Sequence, residues 1–105
     1  MIYVISHQDY DEGGVVGLVE GPNHVDMQQM YKNFLKETKI PQERIASCSY
    51  KEYEKENAKR NLLLKNLAKQ GITGWNNAEL FLSWLLTKHR KNYKIVNAEY
   101  HSFSN

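Results

Sequence analysis

Between Asn76 and Lys88 the chain carries Leu80, Phe81, Leu82, Trp84, Leu85 and Leu86, which a helical period of about 3.6 residues spreads over most of a circumference. A helix of that kind has no side fit for water, so it predicts an element at the centre of the core. Its start is marked locally. Asn76 can accept the orphan N–H groups of a first turn, Glu79 stands at the reciprocal capping position, and Trp75 with Leu80 has the spacing of a hydrophobic staple. Lys88 to Lys91 make a basic end that suits the helix dipole.

The remaining elements follow from periodicity and turn chemistry. Met1 to Ser6 is β-branched and aromatic and Val15 to Val19 is valine-rich, so two strands are predicted with His7 to Gly14 as their hairpin connection. Gly21-Pro22-Asn23 reverses the chain. From Asp26, which with Gln29 resembles a capping box and has Asn23 as a rival cap, Met27, Met30, Tyr31, Phe34 and Leu35 recur at helical spacing until Ile40-Pro41 stops them. Ser49 with Glu52 forms a capping box, flanked by Cys48 and Tyr53 as staple, for a second helix. That helix is anchored by Leu62, Leu63, Leu64 and Leu67 and solvated in its first half, where Glu56 and Arg60 have ion-pair spacing. Gly71 supplies its left-handed cap, with Ile72 folding back. Tyr93 to Phe103 alternates as a last strand.

The order is ββαααβ. It predicts an α+β fold in which a small antiparallel three-stranded sheet packs against three helices, as one domain from Met1 to Asn105. The last strand is expected beside the first, which would leave the second as an open edge.

Composition narrows the class. At 105 residues, with 25% charged and 41% apolar residues, the chain has ordinary globular usage and is expected to fold. Cys48 is alone, and no basic segment with an apolar signal core opens the sequence, so a cytoplasmic chain without a leader is expected. Leu80 to Leu86 is far shorter than the roughly 20 residues that cross a bilayer, so no membrane partner is expected.

Charge is sharply divided along the chain. Residues 1–31 contain no Lys or Arg but hold Asp9, Asp11, Glu12, Glu20 and Asp26, whereas all 14 bases lie from Lys32 onward. The formal charge is −5 before Lys32 and +7 from Lys32 onward, behind an overall +2. Such polarity governs association with partners, not the fold.

Chemical motifs are sparse. His7 to Gly14 offers carboxylates at alternate positions, but its glycine and terminal acid do not fit a calcium loop, so a solvated turn or a contact with a basic partner is favoured over a metal site. His7, His24, His89 and His101 lack paired spacing for zinc. Cys48 stands at a helix start without a nucleophile signature. Gly13 to Gly17 enters a strand instead of opening a helix, so it makes no phosphate cradle. No catalytic residue, metal ligand or cofactor is therefore assigned.

Two surfaces remain. The acidic hairpin set is Asp9, Asp11, Glu12 and Glu20, expected to meet a protein partner. Lys88, Arg90, Lys91 and Lys94, with Tyr93 as a stacking ring, form a basic set open to nucleic acid or another anion. The function expected is a small non-enzymatic binding protein of accessory or inhibitor type, bacterial or phage, that docks on a protein through charged faces. Nucleic-acid binding is the alternative and a metal-dependent or small-molecule enzyme the second. A homodimer is also compatible with an open strand edge.

Overall fold

The structure is a computed structural model and describes residues 1–8, 13–40 and 50–96. It is an α+β arrangement of β1 (Ile2–Gln8), β2 (Gly13–Glu20), α1 (Met27–Thr38), α2 (Tyr50–Lys69), α3 (Asn77–Lys88) and β3 (Lys94–Ile95). The three strands form one antiparallel sheet, and the ββαααβ order is as the sequence predicts. None of the described helices is long and apolar enough to cross a membrane.

The helix predicted to be central is so. Leu80, Phe81, Leu82, Trp84 and Leu85 are all buried, and α3 lies against both β1 and β2 on one side and α1 on another. The approach to β2 is close because Gly17 has no side chain: a Cβ there would stand 2.6 Å from Leu82 Cδ2. Phe34 of α1, fully buried, joins Tyr31, Phe81 and Trp84 in an aromatic cluster with ring centroids 5.3–6.0 Å apart. Trp84 Nε1 donates to a Glu37 carboxylate oxygen at 2.7 Å, so the one polar atom of a buried indole is satisfied by α1.

Capping follows the sequence signals. Asp26 accepts from the N–H groups of Gln28 and Gln29, and Asn76 accepts from that of Glu79 at 2.8 Å. At the end of α2, Gly71 is left-handed with φ 85°, while Ile72 N–H donates to the Leu67 carbonyl and Gly71 N–H to that of Ala68. Those two bonds make a Schellman motif, and it buries Ile72. Ser49, Cys48 and the other residues of the 41–49 link lie outside the described residues.

Four local expectations are corrected. Leu62 is 63% exposed, because of the four leucines only Leu63, Leu64 and Leu67 share the face of α2 turned to the core. Arg60 does not pair with Glu56; it donates to Asn77 Oδ1 and to the Trp75 carbonyl, both at 3.3 Å, and Glu56 stands 4.0 Å from Lys59. Trp75 makes no staple with Leu80 and is 90% exposed. The backbone at Gly74 passes so near Glu79 and Leu80 that the next side chain is directed outward.

Strand order is the fourth. β3 pairs with β2, with Lys94 opposite Glu20 and Ile95 opposite Val19, and Val96 N–H donates to the Leu18 carbonyl at 2.9 Å. The order is β1-β2-β3, so β2 is central and β1, not β2, is a sheet edge. Tyr93 decides this. Its buried ring fills the space that a Gly21 side chain would need, which seats the chain beside the end of β2 just before β3 begins. The predicted continuation of the strand from Asn97 to Phe103 lies outside the described residues.

Two substitutions test this packing by chemical denaturation. Leu85→Ala, at a fully buried position, should lower stability by about 2–5 kcal/mol. Gly21→Ala should cost about 1–3 kcal/mol by forcing the Tyr93 ring from its seat, and Tyr93→Leu in the same chain should recover part of that loss.

Candidate partner-binding surface

The basic set is held on a tight turn between α3 and β3. His89 caps the helix by donating its N–H to the Leu85 carbonyl, and its own carbonyl accepts from Asn92 N–H at 3.0 Å and Tyr93 N–H at 3.1 Å. Its ring stands edge-on to Trp84 at 4.6 Å and to Tyr93 at 6.4 Å. The turn is thus closed by backbone bonds and backed by core aromatics. From this platform Lys88, Arg90, Lys91 and Lys94 are all exposed, and none of them forms an ion pair among the described residues.

Tyr93 does something different from its four neighbours. It is buried, so its ring offers no face to a nucleobase and serves the core instead. Burial, and secondarily the neighbouring Tyr3 phenol, raises its pKa above the ordinary value of 10.0.

The acidic set is divided. Glu20 is exposed at the end of β2, where it stands across from Lys94 and so shares a sheet end with the cations. Asp9, Asp11 and Glu12 lie outside the described residues, in the link between Gln8 and Gly13, which pair at the opposite end of the hairpin. At a rise of about 3.3 Å per residue, the length of β2 puts about 20 Å between that end and Glu20.

An apolar surface separates the two ends. The helices cover one face of the sheet, reached by Tyr3, Ile5 and Val19; Ile2 and Val4 of β1 point the other way and are 57% and 58% exposed. Val15 of β2, opposite Ser6, is 67% exposed. From the sequence the last strand is expected beside β1, which gives β1 no open surface. The signal was present in Ile2-Tyr3-Val4-Ile5, where apolar residues fall on both faces of the pleat.

The histidines do not converge on a visible centre. His7 is half-buried on β1, His24 is exposed with φ 60°, His89 belongs to the turn, and His101 lies outside the described residues. Among the described residues no group of three His, Cys, Asp or Glu side chains is arranged to hold a metal. A small cavity of about 40 Å³ lies between α1, the end of α2 and α3, lined by Thr38, Leu67, Ile72, Trp84 and Lys88, among others. It has room for little more than a water molecule. Comparison with family models, with curated proteins and with solved structures gives no match.

The Tyr93 phenol gives the turn a measurable pH signature. With its folded pKa raised, the folded chain holds this proton after the unfolded chain has lost it, so stability is full below about pH 10 and falls as pH rises beyond it. Spectrophotometric titration should show one tyrosinate appearing after the exposed ones, and Tyr93→Phe should remove that late component.

Proposed function

We propose that this protein is a non-enzymatic binding protein that docks on a protein partner through its charged surfaces, as a cytoplasmic accessory or inhibitor protein of bacterial or phage type. The observation that carries this is the α3–β3 turn: four exposed cations within seven residues, fixed by the His89 carbonyl and the Tyr93 ring, with no ion pair among the described residues. Cations on a fixed support are ready for an acidic partner, since little ordering is left to be done at the moment of contact.

The surroundings of the turn favour a protein over a nucleic acid. With Tyr93 inside the core, the cations have no stacking ring of their own among the described residues of the turn. Beside Lys94 the open face of the sheet is apolar through Ile2 and Val4. An apolar centre rimmed by charge matches the composition of protein interfaces, whereas a phosphate backbone would leave that centre uncovered. The acids Asp9, Asp11 and Glu12 supply a second, oppositely charged contact, and a second copy of the chain is among the partners such a surface admits.

Affinity capture from the native cell, after nuclease treatment, tests the proposal with the wild-type chain and with Arg90→Glu/Lys91→Glu. A protein retained by the wild type at low salt should be lost from the variant, and its association rate with the purified variant should fall by at least about tenfold. Equal retention by a folded variant overturns the role of the turn. Capture of nucleic acid with a steep salt dependence would transfer the surface to the phosphate backbone.

A further inference from the structure

Among the described residues, strand β1 is an edge without the usual protection. Gly21 N–H donates to the Met1 carbonyl, and β1 continues in antiparallel register with Tyr3 opposite Val19 and Ile5 opposite Gly17. In such a ladder alternate residues bond to the neighbouring strand, so the N–H and C=O groups of Ile2, Val4 and Ser6 are directed to the open side. The irregularity between Ile5 and Ser6 places its extra residue, Val16, on β2, so β1 keeps its alternation. Natural edges are blunted by lysine or another charge, by proline, or by a bulge in the edge strand itself. The seven residues Ile2–Gln8 contain no charged residue and no proline.

We propose that β1 pairs with β1 of a second copy of the chain, antiparallel about a two-fold axis at Val4, so that two three-stranded sheets become one of six strands. In that register Val4 meets Val4 of the second copy, Ile2 meets Ser6 and Tyr3 meets Ile5. The open faces of the two sheets then join into one apolar strip through Ile2 and Val4, both more than half exposed in the single chain.

Two observations select a second copy over a different protein. The strand complements itself: self-pairing sets apolar or hydroxyl side chains opposite one another and brings no like charges together within the strand. The charge distribution also complements itself. Each sheet has the cationic turn near the Glu20 end, and the link carrying Asp9, Asp11 and Glu12 starts from the Gln8 end. A two-fold antiparallel arrangement directs the cationic end of each copy toward the acidic end of the other, whereas parallel pairing would set like beside like. Self-pairing shares the charged ends and the Ile2 and Val4 face with the docking reading, but its strand contact uses none of the charged residues of the turn, so the two can fail separately.

Sedimentation velocity of the purified full chain, from micromolar to near-millimolar concentration, decides the matter without any docking partner. The wild type should pass from the mass of one chain to that of two as concentration rises. Val4→Lys sets two like charges face to face at the axis and should raise the dissociation constant by about tenfold or more. Val4→Pro removes only an N–H directed away from β2 and should act the same way. Circular dichroism and the unfolding midpoint establish that each variant is folded; should Val4→Pro fail to fold, Val4→Lys, whose new side chain enters solvent, carries the decision. A wild type that keeps the mass of one chain throughout overturns the proposal. A folded Val4→Lys that dimerises as tightly as the wild type overturns it equally.

Discussion

The burial of α3 on more than one side is the constraint from which the rest of the structure follows. An apolar sequence of this density must be covered by the sheet on one flank and by α1 on another, and both approaches need special residues. Gly17 lets Leu82 rest against the backbone of β2, while the bond from Trp84 to Glu37 removes the cost of burying an indole N–H beneath α1. The helix and its coverings are therefore interdependent. Once α3 is committed to the centre, its end is committed too, and the turn that begins at His89 leaves the core already braced by Trp84 and Tyr93.

The polar layer outside that core is fixed by a few long reaches. Arg60 crosses from α2 to the entrance of α3, where it bonds the Trp75 carbonyl and Asn77. That link ties the middle of α2 to the best-packed element of the chain. Glu79 meanwhile binds the amide of Asn76 at 2.9 Å, so cap and helix hold each other. Residues that look on a helical wheel like a solvated face are thus partly engaged in joining elements.

Legibility in the sequence followed the range of the interaction. Caps at Asp26, Asn76 and Gly71 are decided by the residues beside them, and each was readable from spacing alone. The all-round apolar character of α3 was readable for the same reason. Strand order was not, because it rests on Tyr93 meeting Gly21 from the far end of the chain, a match that no local pattern announces. Strand order also sets the surface: with β3 beside β2, Glu20 joins the cations instead of the hairpin acids, and β1 becomes an edge. Of the proposed surface, the positions of the basic residues were legible from the end of one helix. The burial of Tyr93 and the outward turn of Trp75 depend on how closely two glycines let the backbone approach its neighbours.

The two tryptophans occupy opposite extremes of environment within ten residues of sequence, one 90% exposed and the other 2%. Trp84 is pressed between rings and bonded to a carboxylate, whereas Trp75 stands in water on a loop clamped by Arg60. The molecule therefore contains two intrinsic fluorophores with separate duties. Light emitted by Trp84 reports the integrity of the interior, and that from Trp75, open to soluble quenchers, reports on whatever comes to cover the tip between α2 and α3.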